Sequence, residues 1–433
     1  MKTRMTRRTF LQRTTVSAAG LVLARPLLGR SRQLSLNEKL NIGMIGVADR
    51  AHADLEGVAS ENIVAICDVD DKFLGRAARE FPAAKTYNDF RRLLDRNDLD
   101  AIVVATPDHT HAVATVAALE SGRHVYCEKP LTRTVSECRA VEEAARKAKR
   151  ATQLGTQIHA GDNYRRVVEL IQTGAIGPVA EVHVWVDVTY GNLKLPKESP
   201  PVPSELHYNL WLGPVPYRPY HPQYLPVLWR NWWAFGGGAL SDFGCHYLDL
   251  PHWALGLRTP LTVGVVDGPP VKAESVPPWL IVAYEYPARG MQPPVKLTWY
   301  HGGRQPSPDV LAPELAAKWR SGVLFIGKKG MLLSDYNRHT LLPEDKFKDF
   351  VPPAPFIPKS IGHHAEWIRA CKTGEPTTCN FGYSGPLTET VLLGNVAFRA
   401  GSKLEWDTRR LKATNCPEAD RFIQHRYRAG WSV

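Results

Sequence analysis

Two acids and a histidine stand at helical spacing just after the glycine run 236–238. Asp242, His246 and Asp249 follow one another at four and three residues, so a helix would place all three on one face. Carboxylates and an imidazole on one face suit proton transfer, in which a carboxylate orients the imidazole. The same residue types hold zinc or manganese, and His252 continues the series. The spacing alone leaves proton transfer and a metal site open.

An earlier stretch has the order strand, tight turn, helix, strand, acid. The first apolar run ends in Gly46, and the second ends in Asp68, 22 residues later. A Rossmann unit needs a phosphate-binding turn at a helix N-terminus and an acid about 20 residues on for the adenosine ribose. The glycine fingerprint is incomplete, because Ala48 and Ala51 stand where its second and third glycines belong. The order of elements nevertheless predicts a dinucleotide site.

Two further apolar runs end in polar turns. One runs from Leu99 to Ala105 into the turn 106–111, and the next runs from His124 to Cys127 into Glu128-Lys129-Pro130. Strands that alternate with helices specify a parallel, doubly wound sheet whose ligands bind at the C-terminal ends of the strands. Both turns are therefore expected at the ligand edge of a Rossmann domain over residues 38–156.

A family resemblance rests on four stretches, Ile45-Gly46-Val47, residues 105–111, Glu128-Lys129-Pro130 and residues 236–249. Together they resemble the Gfo/Idh/MocA family of NAD(P)-dependent sugar and polyol oxidoreductases, over roughly residues 38–410. The resemblance implies an α/β Rossmann domain beside an α+β domain with an open sheet, and no metal. Residues 370–389 resemble the secreted, twin-arginine branch of that family. NAD is the cofactor that this resemblance and Asp68 together predict.

The resemblance also assigns roles to individual residues. Lys129 and His246 would carry the proton of a substrate hydroxyl, and Asp242 would orient His246, which makes these three the predicted catalytic residues. Flat aromatic faces bind the apolar faces of sugars. The predicted substrate contacts are Lys129, Trp232, Trp233, Asp242, His246 and Asp249. The predicted cofactor contacts are Gly46, Ala48, Arg50, Asp68, Thr106, Pro107, His109, His111, Glu128 and Gln157.

The second half of the chain is predicted to form an α+β domain. Period-two alternation over 179–188 and β-rich runs at 279–286 and 295–300 follow one another without an obvious crossover helix, which predicts an antiparallel sheet. Residues 195–226 contain nine prolines, which exclude a helix or a central strand. That proline-rich segment is expected to be a long loop that either borders the active site or wraps the surface. Residues 157–433 are thus predicted to be a substrate and oligomerisation domain with an open, mainly antiparallel sheet.

The first 34 residues resemble a twin-arginine export signal. Arg7 and Arg8 precede Phe10 and Leu11, and a weakly apolar run follows to Ala24. The alternative is a basic, disordered terminus of a cytosolic protein. The signal predicts export of the folded protein to the periplasm or the exterior, with its cofactor loaded in the cytoplasm.

Composition excludes several other classes of protein. The chain has 433 residues, 44% hydrophobic and 22% charged, as expected for two or three globular domains. Residues 1–33 hold eight basic residues and no acid; the rest has 46 basic against 43 acidic residues, so the net charge of +11 does not indicate a nucleic-acid surface. The apolar stretch 16–28 is too short for a membrane span. Seven cysteines without paired spacing argue against a disulfide framework or a zinc ribbon.

These observations predict an exported oxidoreductase that moves a hydride between NAD and a secondary hydroxyl of a sugar, glycoside or cyclitol. A homodimer or homotetramer is the expected assembly, and neither a nucleic acid nor a membrane span is expected. One alternative is an NAD-retaining glycosidase or lyase that works by transient oxidation and elimination. Another is a non-catalytic sugar-binding protein of the same fold, suggested by Ala48 in the phosphate turn.

Overall fold

Two β-sheets form the framework of the protein, which this computed structural model describes at Ser35 and over residues 38–433. The predicted export signal at residues 1–34 lies outside the described residues. Within the described part, no helix is long and apolar enough to cross a bilayer.

The first sheet has six parallel strands: β1 (Asn41–Ile45), β2 (Asn62–Cys67), β3 (Lys85–Tyr87), β4 (Ala101–Val104), β5 (His124–Cys127) and β6 (Thr152–Leu154). The helices of this half are α1 (Arg50–Val58), α2 (Asp71–Glu80), α3 (Phe90–Leu94), α4 (Asp108–Glu120) and α5 (Val135–Ala148). The strand order β3-β2-β1-β4-β5-β6 is that of dinucleotide-binding folds, with the topological switch between β1 and β4. All four residues of β4 are buried, as helices on both faces require. The predicted Rossmann domain is confirmed.

The second sheet has nine strands: β7 (Val179–Val186), β8 (Thr262–Asp267), β9 (Leu280–Tyr286), β10 (Val295–His301), β11 (Gly322–Gly327), β12 (Gly330–Ser334), β13 (His339–Leu342), β14 (Leu404–Asp407) and β15 (Lys412–Ala413). Their order is β13-β12-β11-β7-β10-β9-β8-β14-β15. The neighbours β7 and β10 run parallel and the other pairs run antiparallel. The predicted open, mainly antiparallel sheet is confirmed.

The helices of the second half are α6 (Asp162–Gln172), α7 (Tyr208–Leu212), α8 (Gly238–Tyr247), α9 (Asp249–Leu255), α10 (Pro313–Lys318), α11 (His363–Thr373), α12 (Phe381–Ala400) and α13 (Asp420–Ile423). The short helix α7 lies inside the proline-rich segment, where the prolines were expected to exclude any helix. That expectation was wrong for five residues, because the stretch between Pro203 and Pro214 contains no proline.

Two C-terminal helices pack against the first sheet. Trp367 of α11 is fully buried and meets the ring of Tyr126 edge-on, with ring centroids 5.8 Å apart. Phe381, the first residue of α12, is fully buried in the apolar cluster of β4, β5 and α4, and its backbone N–H donates to Thr152 of β6. Residues from the second half therefore complete the core of the Rossmann domain.

Candidate active site

A cleft of about 680 Å³ lies at the C-terminal ends of the parallel strands. The turns after β1, β2, β4 and β5 form one side of it, and α8 with the proline-rich segment forms the other. Ligands of doubly wound sheets bind at this edge. The proline-rich segment thus borders the cleft, one of the two places expected for it.

The turn after β1 has the shape of a phosphate cradle. Gly46 has a φ of 88°, and a Cβ there would lie 2.5 Å from the carbonyl oxygen of Ala105, so only glycine fits. The next residues in the cleft wall are Ala48 and Asp49, whose backbone N–H groups make no hydrogen bond with another described residue. Free N–H groups at the start of α1 suit a phosphate ligand. This turn therefore fits the pyrophosphate of a dinucleotide.

Asp68 lies at the end of β2 with its carboxylate in the cleft wall. Its two oxygens accept hydrogen bonds from the backbone N–H groups of Val47, at 3.0 Å, and Asp70, at 2.9 Å. Burial raises the pKa of Asp68 to about 6, so the group is mainly ionised at pH 7. A carboxylate accepts about four hydrogen bonds in all. Capacity remains for a ribose diol, and the contact of Asp68 with the cofactor stays a prediction.

Arg50 and Glu128 pair with each other beside the phosphate turn. Arg50 Nε donates to Glu128 Oε1 at 3.0 Å, and its Nη2 donates to Asp54 at 3.3 Å. Burial raises the pKa of Glu128 to about 7. Gln157 also lines the cleft, and its buried Oε1 has no hydrogen-bond partner among the described residues. The charge of Arg50 is therefore already paired, whereas Gln157 contributes to the cleft wall.

Lys129 and Asp242 meet across the cleft, one after β5 and the other on α8. Lys129 Nζ donates to the carbonyl oxygen of Asp242 at 2.8 Å and to its Oδ1 at 2.6 Å. An ammonium has three N–H donors. Asp242 therefore fixes the position of Nζ and leaves one donor for a ligand oxygen.

Two further side chains hold the Asp242 carboxylate. Tyr190 OH donates to Oδ2 at 2.8 Å, and Arg230 Nε lies 3.3 Å from Oδ1. Burial alone would raise the pKa of Asp242, but Lys129 and Arg230 outweigh burial and hold that pKa well below its ordinary value. Asp242 is thus a permanent carboxylate between two cations.

His246 lies one turn after Asp242 on α8 and lines the cleft. Burial, and then Lys129, lower its pKa well below the ordinary value, so its ring is neutral. Its buried Nδ1 has no hydrogen-bond partner among the described residues. No side-chain hydrogen bond between described residues joins its ring to the Asp242 carboxylate, which corrects the prediction that Asp242 orients His246. The carboxylate is instead held by Lys129, Arg230 and Tyr190.

Three residues of this centre were absent from the sequence prediction. Asp108, the first residue of α4, is 4% exposed and lines the cleft; burial raises its pKa to about 8, although Arg230 lowers it. Asp108 lies in the motif at residues 105–111, and Arg230 follows Trp229 in the tryptophan-rich stretch, so the sequence contained a signal that could have identified both. Tyr190, four residues beyond β7, had none.

Two domain models of one family match the chain. The first, described as an oxidoreductase family with an NAD-binding Rossmann fold, matches residues 40–156. The second, the C-terminal alpha/beta domain of the same family, matches residues 169–292, and together they cover more than half of the chain. The chain belongs to the Gfo/Idh/MocA oxidoreductase family.

Relatives of this Gfo/Idh/MocA protein match it over part of their length. It is 34% identical over 149 residues to an inositol 2-dehydrogenase of Salmonella typhimurium, covering 33% of this chain. It is 31% identical over 202 residues to a glycosyl hydrolase family 109 protein of Shewanella baltica, covering 40% of this chain. The match spans 43% of the length of each relative.

Solved structures share the whole fold. The WlbA dehydrogenase from Bordetella pertussis, in complex with NADH and UDP-GlcNAcA, has a TM-score of 0.60 at 19% identity and covers 86% of this chain and 99% of its own. Levoglucosan dehydrogenase in complex with NADH has a TM-score of 0.56 at 18% identity and covers 84% of this chain and 98% of its own. At these identities the likeness concerns the fold.

Two histidines predicted to contact the cofactor lie behind the cleft wall of this Gfo/Idh/MocA protein. His109 Nε2 lies 2.7 Å from the carbonyl oxygen of Trp211, and the ring nitrogens of His111 face the carbonyl oxygens of Pro130 and Thr106. Both rings are buried among backbone groups because the first turn of α4 packs inward. They support the turns around the cleft. The neighbouring Thr106 and Pro107 do line it.

The two tryptophans predicted to contact substrate are also behind the wall. Trp232 is fully buried and its Nε1 donates to the carbonyl oxygen of Gln223, whereas Trp233 is 5% exposed and donates to that of Lys272. A buried indole needs such a partner for its N–H. Trp229 of the same cluster lines the cleft instead.

Asp249 does not share a helix face with Asp242, because α8 ends at Tyr247 and α9 begins at Asp249. Asp249 is fully buried and accepts hydrogen bonds from His159 Nδ1, at 2.8 Å, and Tyr383 OH, at 2.6 Å. In the part of the chain that the structure describes, no group of three or more His, Cys, Asp or Glu side chains is arranged to hold a metal ion. The helix break therefore separates the residues of the postulated metal cluster.

Replacing Asp249 with asparagine is expected to lower stability by about 3–5 kcal/mol, the scale for breaking a buried ion pair, and to leave turnover unchanged. Burial alone would lower the pKa of His159, but Asp249 outweighs burial and raises it to about 10. The stabilisation is therefore complete below pH 6.5 and lost as the pH rises through 10. Urea unfolding at several pH values measures it, with exposed Asp309→Asn as the control. If Asp249→Asn lost turnover at unchanged stability, the predicted contact of Asp249 with the substrate would be supported instead.

Proposed function

We propose that this protein is an NAD-dependent oxidoreductase that moves a hydride between NAD and a secondary hydroxyl of a sugar, glycoside or cyclitol. The observation that carries the proposal is one continuous cleft, in which Lys129, fixed by Asp242, shares a space with the Gly46 turn and Asp68. Membership of the family and similarity to an inositol 2-dehydrogenase support the same class of reaction.

The cofactor and the side chains of the cleft have separate roles in this reaction. NAD, when bound, accepts or supplies the hydride. In ketone reduction the third N–H of Lys129 donates a proton to the substrate oxygen, and in alcohol oxidation Nζ accepts that proton as a neutral amine. Tyr190 and Arg230 keep Asp242 in position to hold Lys129. Lys129 and Arg230 also stabilise negative charge that develops on that oxygen. The neutral ring of His246, which lines the cleft, offers a second polar contact to the substrate.

Asp108 supports a second activity, net cleavage of a glycoside by transient oxidation and elimination with retained NAD. Elimination needs an acid to protonate the leaving oxygen. With a pKa of about 8, Asp108 carries its proton at neutral pH and faces the same cleft. Similarity to a glycosyl hydrolase family 109 protein supports this alternative.

A panel of cyclitols and aryl glycosides, incubated with the purified protein and NAD, tests both activities. A dehydrogenase forms keto product and NADH in equal amounts. A retained-NAD glycosidase releases aglycone without net NADH. If NAD binds but neither product forms with any member of the panel, the proposed oxidoreductase function is contradicted and the sugar-binding alternative takes its place.

Asp68 is expected to make the protein bind NAD at least about tenfold more tightly than NADP, a difference of about 1.4 kcal/mol. Its carboxylate accepts from a ribose diol but repels a 2′-phosphate. Arg50 does not offset the repulsion, because it is paired with Glu128 and Asp54. Fluorescence titration of NADH and NADPH measures the ratio, and Asp68→Ser should abolish the preference. Equal or tighter binding of NADP to the unmodified protein would refute the assignment.

We also propose that the chain is exported in folded form by the twin-arginine route, on the strength of Arg7, Arg8 and the apolar run after them. The double variant Arg7→Lys with Arg8→Lys is expected to stay in the cytoplasm with its activity intact. Cell fractionation measures its distribution. The matched control, Arg30→Lys with Arg32→Lys, should be exported normally. Normal export of the Arg7 and Arg8 variant would contradict the assignment of residues 1–34 as an export signal.

A further inference from the structure

The last ten residues, 424–433, return to the cleft and form what we term the C-terminal segment. Trp431 lines the cleft. Its ring lies 6.0 Å from that of Phe90, centroid to centroid, and the guanidinium of Arg91 lies 4.7 Å from its centroid. The end of the chain thus meets the first helical turn of α3, more than 300 residues away in sequence.

The contact is at one particular end of the cleft. Phe90 follows β3 and Asp68 follows β2, and both line the cleft. In the sheet order, these two strands lie on one side of the switch between β1 and β4, and Lys129 follows β5 on the other side. The adenosine half of a dinucleotide lies over the strands that carry the ribose-binding acid. Trp431 is therefore at the adenosine end.

The C-terminal segment is anchored on two elements. Arg428 donates from Nε to the carbonyl oxygen of Gly213 at 2.5 Å and from Nη1 to Asn209 Oδ1 at 2.6 Å, both in the proline-rich segment. Tyr427 OH donates to Glu137 on α5 at 2.6 Å. Gly430 has a φ of 85°, a left-handed turn that places Trp431 after these anchors.

The wall that Trp431 joins is held by hydrogen bonds between its own residues. Arg91 is fixed by Asp89, whose Oδ2 accepts from Nη2 at 2.7 Å and whose Oδ1 accepts from the Arg91 backbone N–H at 3.0 Å. Trp431 is only partly buried, and part of its surface faces the cleft. An aromatic side chain in this position suits adenine, because every base has a flat aromatic face that stacks on such side chains.

We propose that Trp431 binds the adenosine half of the dinucleotide and that the C-terminal segment slows its release. This inference rests on the proposed use of NAD. It assigns the segment a role in cofactor retention, whereas Lys129 and Asp242 act at the opposite end.

Binding of AMP, nicotinamide mononucleotide and NADH to four variants tests the proposal. Trp431→Ala is expected to bind AMP and NADH about tenfold more weakly and to release NADH faster in a stopped-flow displacement experiment. Trp431→Phe should recover most of the affinity. Arg428→Gln, which removes the anchor and keeps the ring, should change both quantities in the same direction. Exposed Arg426→Ala is the control and should match the unmodified protein.

The outcomes separate this inference from the proposed function. Unmodified protein that binds no NADH would contradict both. Unmodified protein that binds NADH, with Trp431→Ala binding AMP and releasing NADH as the unmodified protein does, would overturn the role of Trp431 alone. A folded Trp431→Ala variant that loses affinity for nicotinamide mononucleotide as much as for AMP would also overturn it, because the effect would then not belong to the adenosine end. Thermal unfolding confirms that each variant is folded.

Discussion

Lys129→Met is expected to reduce turnover by about 10²-fold to 10⁴-fold while the affinity for NAD barely changes. The substitution keeps the approximate volume of the side chain and removes the Nζ that is fixed by Asp242. It touches neither the Gly46 turn nor Asp68, so the dinucleotide end of the cleft stays intact. Turnover on the first substrate found in the panel, at saturating NAD, measures the effect, together with an NADH titration.

Two comparisons sharpen this result. The exposed Lys359→Met should leave both quantities unchanged. His246→Gln should lower turnover by about 10²-fold, because it removes the neutral imidazole that lines the cleft. If Lys129→Met keeps full turnover, the assignment of the turn after β5 is wrong. Release of a stoichiometric metal from His246→Gln would restore the metal site that the spacing left open.

Asp242→Asn is expected to lower turnover by about 10²-fold or more and stability by about 3–5 kcal/mol. The sequence predicts only that Asp242 orients His246, a role for which this substitution would have a milder effect. In the structure its charge holds Lys129 and faces Arg230, so its loss leaves two partly buried cations without this partner. Turnover at saturating NAD and urea unfolding measure the two losses.

The pH dependence of the Asp242→Asn effect follows from the depressed pKa of Asp242. A depressed carboxyl pKa stabilises the fold above its unfolded value of about 3.9, and the stabilisation is lost as the pH falls through the folded value. The difference in stability between the two proteins should therefore be constant near neutrality and shrink only in acid. Tyr190→Phe, which keeps every charge, is the matched control with a smaller effect. An Asp242→Asn variant as active as the parent would contradict the role of Asp242.

The Rossmann domain could be predicted because its signals are local. The turn at Gly46, Asp68 at the end of the next strand and the polar turns after two later strands each lie within a few residues of the element that positions them. In the second sheet, β7 was visible as a period-two run and β9 and β10 as β-rich runs, whereas the other six strands were not predicted. Helix α7 was missed because the density of prolines was averaged over a segment with a proline-free interval.

The partners within the site could not be predicted, because they come from distant parts of the chain. Sequence spacing offered Asp242 only its helix neighbour His246, whereas its strongest partner, Lys129, is 113 residues away. Asp249 was expected on the same helical face as Asp242, but the helix is interrupted at Leu248, between α8 and α9. The tryptophan cluster was placed near the cleft, but only the fold decides that Trp229 faces it and Trp232 does not.

The packing of α11 and α12 on the first sheet fixes the order in which the chain completes its native core during synthesis. A nascent chain ending at residue 156 contains all six strands of that sheet but lacks Trp367 and Phe381, which fill its apolar clusters. Until those residues leave the ribosome, the surfaces they cover stay open to solvent. The dinucleotide half of the protein is therefore made first but completes its core only after Phe381 has emerged, and a chaperone that shields apolar surface has a long task there.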